Sequence, residues 1–385
     1  MEVFAPLLAS STLLTWASNA FAFYPLFILG FRYSINEMGF TKHESHYGYI
    51  MSSNGLMAYC SNAGGNWVTL FVAIALTIYS YQEQVLGPVP AHVDMSGKVC
   101  IVTGSSSGIG QATAEALVRM GARVILACRT EKKALEAREA ILKACPSATG
   151  SAEFMHLDLA SLKSTRAFAA AFAAKGLPLH VLVNNAGVMQ HERLLTADGN
   201  EMTLQANYLG HFLLTNLLLA PLKATAKKAG GARIVNISSS MHWGEKHFDF
   251  DDIQGERKYA MFRAYEQSKL AQLLSTVELE RRLSGTGVTV NAVHPGSVIT
   301  DVTRGFHPLV RLGERFTTPL QYAMRKPRYA GAYTAVYCAT SAEVAQMSGK
   351  YWWNCREQYR SALVDNRKTQ SKLWDVSEKL VEKKR

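Results

Sequence analysis

An α/β fold with a doubly wound parallel sheet is predicted by three features of this sequence. From Lys98 onward, apolar runs of strand length alternate with helix-patterned segments, which implies a sheet covered by helices on both faces. The first run, Lys98–Val102, leads into Thr103–Gly110, TGSSSGIG, and then into the helix-like Gln111–Met120. Strand, glycine turn and helix start, in that order, mark the Rossmann type of the fold. Gly104 permits a sharp turn where a Cβ would clash. Gly108 and Gly110 let backbone and helix approach a diphosphate, whose charge faces the free amides of the helix N-terminus. Gly104, Ser105, Ser107, Gly108, Ile109 and Gly110 are therefore the first candidates for holding a cofactor.

Arg123–Ala127 reads as the second strand, followed by a charged helix over Thr130–Ala144 that Pro146 ends. Glu153–Leu157 is the third strand, and Ser161 caps a helix running to about Lys175. His180–Asn184 is the fourth strand, a long helix spans Asn200–Leu222, and Arg233–Ile237 is the fifth strand. Tyr265–Leu283 is helical, Val288–Val293 is the sixth strand, Tyr329–Thr340 is a helix, and Lys350–Trp353 is a last strand. The closing Glu382–Arg385 reads as a basic, solvated tail.

The chain has 385 residues, six cysteines and a formal net charge of +11. That length permits a large core and roughly two or three domains. The cysteines are scattered with no C-x-x-C pair, which suggests neither a zinc site nor a disulfide framework. Cys100 and Cys128 sit in apolar runs, and buried thiols favour a reducing compartment. The basic excess suits an anionic membrane surface or a phosphate-bearing cofactor, and with no accompanying motif it does not imply nucleic acid.

The N-terminal part is of another kind. Val3–Phe31 contains no Asp, Glu, Lys or Arg and is rich in Leu and Phe, long enough for a spanning helix of ~20 residues. A signal peptide fits less well, because no Lys or Arg precedes the apolar run. A second uncharged run, densest over Asn66–Tyr81, carries Trp67, Tyr79 and Tyr81 at its ends, as an interfacial belt would. A membrane hairpin, or one span with an interfacial helix, is the expectation; a soluble helical extension is the alternative. His43, Glu44 and His46 have a spacing that can bind metal, but a solvated loop is the reading adopted, and no metal site is expected. Residues 1–95 thus form a membrane-anchoring region and linker, 96–375 a catalytic domain, and 376–385 the basic tail.

Cofactor chemistry continues past the glycine turn. The second strand ends in Cys128-Arg129-Thr130, with no acid where an adenosine ribose hydroxyl would need one. Arg129 can instead pair with a ribose phosphate and stack on adenine, which favours NADP(H) over NAD(H) while leaving NAD(H) usable. Asp158 is placed to accept from the adenine amino group, and Asn185-Ala186-Gly187 closes the fourth strand where backbone must approach the cofactor. Tyr265 and Lys269 lie four residues apart, on one helix face. A phenol with pKa near ~10 is a poor base; a neighbouring ammonium lowers that value. Ser239, off the neighbouring strand end, can hold the substrate oxygen, and Asn207 is suited to fixing a water beside Lys269.

Together Thr103–Gly110, Asn184–Gly187, Asn207, Ser239, Tyr265-x-x-x-Lys269 and Pro295-Gly296 resemble the short-chain dehydrogenase/reductase family, over about Lys98–Trp374. Asn207–Thr215, Ala264–Leu270 and Gly287–Gly296 are similar to its retinol-dehydrogenase-like branch. Leu177–Val183 and Tyr208 look like a subgroup associated with polyprenol and dolichol metabolism. The resemblance implies that Asn207, Ser239, Tyr265 and Lys269 form a catalytic tetrad, that Pro295 and Gly296 border the cofactor, and that Thr300 bonds its carboxamide. Ser106 stands where the family usually has asparagine.

Met241–Arg263 and Ser297–Lys326 are expected to wall the substrate cleft. The second holds Phe306, Leu309, Val310, Leu312, Phe316 and Leu320, which suit a greasy substrate, a membrane contact or the packing of a short helix. The expected protein is an oxidoreductase of a lipophilic alcohol or aldehyde, retinoid, steroid or prenol, at the endoplasmic reticulum membrane. Its catalytic domain would face a reducing compartment, and a homodimer is compatible with this reading. A non-catalytic NADP-binding scaffold is the rival; a damaged tetrad would mark it, and the four residues are intact.

Overall fold

A computed structural model describes residues 86–298 and 325–382. They all belong to one compact unit, Tyr81–Arg385. The strands are β1 (Val99–Thr103), β2 (Arg123–Cys128), β3 (Ser151–His156), β4 (Val181–Asn184), β5 (Ala232–Ile237), β6 (Val288–His294), β7 (Tyr351–Trp353) and β8 (Arg356–Glu357). They form one sheet in the order β3-β2-β1-β4-β5-β6-β7-β8. All neighbouring pairs are parallel except β7–β8. The doubly wound Rossmann-type fold is thus as predicted, with an antiparallel β8 that was not. The β7–β8 turn is Asn354-Cys355, both with positive φ; such hairpin turns are usually announced by glycine, and none marks this one.

The helices are α1 (Gly108–Arg119), α2 (Glu131–Ala144), α3 (Leu162–Ala174), α4 (Met202–Leu204), α5 (Gly210–Leu217), α6 (Leu219–Ala229), α7 (Met261–Arg282), α8 (Arg328–Thr340) and α9 (Arg367–Glu382). Strands buried on both faces read as continuous apolar runs, and successive residues point to opposite layers. Ile101, Ile125, Leu182 and Ile234 pack in one layer with residues of α3, α5, α7 and α9. Cys100, Val102, Val124, Val183 and Val235 pack in the other with α1, α2 and α8. Cys100, Cys128, Cys145 and Cys338 are buried free thiols. Ser161 caps α3 as expected, its hydroxyl accepting from the Ser164 amide at 3.2 Å.

Two sequence expectations are corrected in detail. The single helix expected over 200–222 is broken. A π-turn, Gln205–Leu209, separates α4 from α5, with the Gly210 amide bonding the Gln205 carbonyl, and a second break at Leu218 precedes α6. Helical periodicity reports neither, because a π-turn inserts one residue without changing composition. At the C-terminus, α9 runs through residue 375, where the sequence ends the catalytic domain. Gln370, Leu373, Trp374, Ser377 and Val381 are buried on one face, and Tyr208 of the π-turn bonds Ser377 at 2.8 Å.

Among the described residues no helix is long and apolar enough to cross a membrane. The apolar runs Val3–Phe31 and Asn66–Tyr81, the histidines at 43 and 46, Thr300 and most of the Ser297–Lys326 loop lie outside the described residues.

Candidate active site

The parallel register aligns the C-terminal ends of the strands. Thr103 stands beside Ala127, Asn184 beside Asn236, and Ile237 beside Val293. The order in which successive strands are added to the sheet reverses between β1 and β4, and that switch point is where such folds bind ligands. Gly104 (φ +63°) and Gly108 (φ +58°) adopt left-handed backbone there. A Cβ on Gly104 would lie 2.8 Å from Ala186 Cα, and one on Gly110 would lie 2.3 Å from Asn185 Nδ2 and 2.5 Å from the Gly104 carbonyl. Gly104 and Gly110 therefore serve close packing of the turn against the β4 exit. Ser107 starts α1 without a side-chain cap, and the first turn holds no acid, so its amides remain available to an anion.

Thr103 locks the two halves of this rim. Its hydroxyl oxygen accepts from the amides of Asn185 (2.9 Å) and Ala186 (3.0 Å) and meets His211 Nε2 at 2.8 Å. His211 Nδ1 lies 2.9 Å from the Asn207 carbonyl, which can only accept. The histidine is therefore the Nδ1–H tautomer, and Thr103 donates to its Nε2. Asn185 Nδ2 returns to the Thr103 carbonyl at 2.8 Å. Sequence reading had not picked out His211; its signal was a histidine one turn after Asn207 on a buried helix.

The expected tetrad converges. Lys269 Nζ donates to the Ile237 carbonyl (2.8 Å) and to Gln272 Oε1 (3.0 Å), and lies 5.4 Å from the Tyr265 ring centre. Ser239 leaves the end of β5, and its hydroxyl accepts from the Met241 amide at 3.2 Å. His242 donates from Nδ1 to the Ser239 carbonyl at 2.7 Å, and its Nε2 accepts from the Ser361 amide. That support for Ser239 was also not read from sequence. Asn207 is fully buried in the π-turn; its amide pairs with both backbone groups of Val188 and reaches Ser268 at 3.0 Å.

One electrostatic expectation changes. The Tyr265 phenol, part of whose surface stays exposed, is raised by burial to about 12, with the Ser239 hydroxyl pulling the other way. Burial also drives Lys269 down to about 7, so the ammonium expected to lower the phenol gives up its own proton more readily than a solvated lysine would. The Asn207 carbonyl, for its part, is engaged by two side chains of the protein. His211 Nδ1 and Gln272 Nε2 (2.8 Å) occupy the two lone pairs a carbonyl offers.

Of the remaining described candidates, all but Ser105 present accessible surface along the same rim. Arg129 is exposed just past β2, where the Gly104 amide bonds the Ala127 carbonyl at 2.9 Å. Ser105 is buried, bonding the Val102 carbonyl at 3.0 Å and contacting Cys128. Ser107, Ile109, Asp158, Pro295 and Gly296 are partly exposed, and one Asp158 oxygen caps its own turn through the Ala160 amide at 3.0 Å. Gly187 is exposed, and a Cβ there would reach Asn207 Oδ1 at 3.6 Å and Lys269 Nζ at 3.8 Å. The missing side chain keeps the approach to Lys269 clear. An uncapped helix start, a glycine turn and this open ledge fit a nicotinamide dinucleotide.

A family model described as short chain dehydrogenase matches residues 98–308. Retinol dehydrogenase 12 of Mus musculus is 42% identical over 312 residues, covering 80% of this chain and 95% of that protein. Polyprenol dehydrogenase of Danio rerio is 42% identical over 294 residues, covering 76% of this chain and 89% of that protein. Among solved structures, the RhlG/NADP active-site complex of Pseudomonas aeruginosa matches with a TM-score of 0.54 at 26% identity, covering 68% of this chain and 95% of that chain.

The neutral histidines give a pH prediction. Burial lowers His211 and His242 from 6.5 to about 4. Between those values the unfolded chain binds more protons than the native state, so stability is full above the unfolded value and falls as pH drops toward about 4. Urea unfolding across that window should show the loss, and His211→Gln should make it shallower. A loss of equal slope in both proteins would contradict a neutral, buried His211.

Proposed function

The chain belongs to the short-chain dehydrogenase family, and on that premise we propose that it is a membrane-anchored oxidoreductase interconverting a lipophilic alcohol and its carbonyl form, with NADP(H) preferred. The observation that carries the chemistry is the convergence of Asn207, Ser239, Tyr265 and Lys269 beside the open glycine turn. A bound nicotinamide dinucleotide supplies or takes up the hydride at the substrate carbon. Tyr265 holds a proton at its phenol oxygen and exchanges it with the substrate oxygen. Because burial raises the phenol to about 12, Tyr265 is protonated at neutral pH and ready to donate, the direction reduction needs. Ser239 accepts from the Met241 amide, which leaves its own proton for the same substrate oxygen. Lys269, buried and pinned to two acceptors, stabilises the phenolate left after donation.

Cofactor preference rests on Arg129. The Gly104–Ala127 bond holds the glycine turn against the strand that Arg129 follows, and no acid stands there to repel a ribose phosphate. The related RhlG complex contains NADP, which agrees. A greasy substrate is supported by exposed apolar groups near the tetrad: Trp243, four residues past Ser239, and Phe262, three residues before Tyr265. The names of the retinol and polyprenol dehydrogenases among its relatives point the same way, to a retinoid or a prenol. Anchoring rests on the uncharged Val3–Phe31 and Asn66–Tyr81 runs. The buried free thiols suit a catalytic domain on the reducing side of an endoplasmic reticulum membrane.

Full-length protein should reduce all-trans-retinal or a polyprenal with NADPH, and more slowly with NADH. Arg129→Ala should weaken NADPH on the order of tenfold to a hundredfold and NADH much less, since such contacts are worth roughly 1.5–3 kcal/mol. Equal losses for both cofactors would remove the basis for an NADP(H) preference, and no turnover of any lipophilic carbonyl would overturn the activity.

Anchoring has its own test. Full-length protein in membranes should resist alkaline carbonate extraction, whereas a chain beginning near Val93 should be soluble. Recovery of the full-length protein in the carbonate supernatant would overturn the integral attachment.

A further inference from the structure

Gln272 lies one helical turn beyond Lys269 on α7 and is almost fully buried. Its carboxamide is oriented by its partners. An ammonium can only donate, so Lys269 Nζ must face Oε1, at 3.0 Å. A carbonyl can only accept, so the Asn207 oxygen must face Nε2, at 2.8 Å. One side chain thus spans the gap between the buried lysine and the π-turn, where the sequence had suggested a water. Gln272 also borders a small cavity of mixed lining, with Asn184, His211 and Asn236 on it beside Phe212, Leu279 and Trp374, to which Lys269 does not contribute.

We propose that Gln272 is a positioning residue for the dehydrogenase reaction: its carboxamide fastens the Lys269 ammonium to the Asn207 carbonyl and sets the pH at which that ammonium loses its proton. The inference rests on the reading of Lys269 as part of the catalytic group. Burial works against charge on Lys269, and no carboxylate among the described residues offsets it. The titratable groups facing Lys269 are Tyr265 on its own helix and His211 on α5. From the end of β5 come the Ile237 carbonyl and the Ser238 hydroxyl, the latter bonded to the Lys269 carbonyl at 3.2 Å, and from the β4 exit comes Gly187. Gln272 Oε1 and the Ile237 carbonyl are the acceptors bonded to Nζ. Acceptors bonded to a charged form favour it, so removal of Gln272 Oε1 must lower the Lys269 pKa, and a carboxylate in its place must raise it.

The test compares wild type, Gln272→Leu and Gln272→Glu as full-length proteins, with circular dichroism as the control for folding. In the protein without added cofactor, the Lys269 ammonium is titrated by NMR of side-chain 15N-labelled lysine, its signal assigned by loss in Lys269→Met. The leucine variant should titrate about one to two pH units lower than wild type, and the glutamate variant higher. With NADPH and a lipophilic aldehyde, the pH dependence of kcat should move the same way while KM for the aldehyde stays within about twofold. Glutamate is nearly isosteric with glutamine, so its arm stands even where the leucine variant fails to fold. Coincident titrations of Lys269 in wild type and the folded variants would overturn the proposal. Absence of turnover in wild type would count against the proposed reaction instead, and the NMR arm would still decide the role of Gln272.

Discussion

The hydroxyl of Thr103 is the point on which the rim of this sheet depends. It is fully buried, and it satisfies the Asn185 and Ala186 amides while donating to His211. Three segments far apart in sequence meet there: the end of β1 with its glycine turn, the exit of β4, and α5 behind the π-turn. Leaving one such buried group without a partner would cost about 1–3 kcal/mol, so the turn, the ledge at Gly187 and the Asn207 carbonyl are held in one arrangement. A network with every donor and acceptor used is rigid, and rigidity is what a site for hydride and proton exchange needs.

The same enclosure sets the electrostatics. A lysine taken out of water tends to lose its proton, and a phenol tends to keep one; Lys269 and Tyr265 move in those directions. The chain answers with neutral acceptors on the ammonium, the Ile237 carbonyl and Gln272, and no acidic partner among the described residues. A carboxylate beside Lys269 would hold its charge more firmly but would also repel electron density gathering on the phenol oxygen. Neutral acceptors avoid that repulsion.

How much of this was legible in the sequence follows from how local each feature is. The Thr103–Gly110 turn, the succession of strands and helices and the Tyr265/Lys269 spacing are readable because glycine geometry, alternation and helical period act within a few residues. The π-turn at Asn207 leaves no compositional trace. His211, His242 and Gln272 owe their roles to partners distant in the chain, as in the bonds from His211 to Thr103, His242 to Ser361 and Gln272 to Asn207. Burial of Lys269, which decides its charge, is likewise a property of the assembled layers. The amphipathic face of α9 was within reach: Gln370, Leu373, Trp374, Ser377 and Val381 keep helical spacing, but the basic end of the chain masks it.

The central claim is that Tyr265 exchanges the substrate proton in a site whose cofactor ledge is built independently of it. Turnover of a lipophilic aldehyde by Tyr265→Phe, measured alongside NADPH binding by fluorescence, tests this most directly. The account predicts a fall in kcat of about 10²–10⁴ with NADPH affinity unchanged within about twofold. Turnover close to wild type, with the cofactor bound equally well, would contradict it.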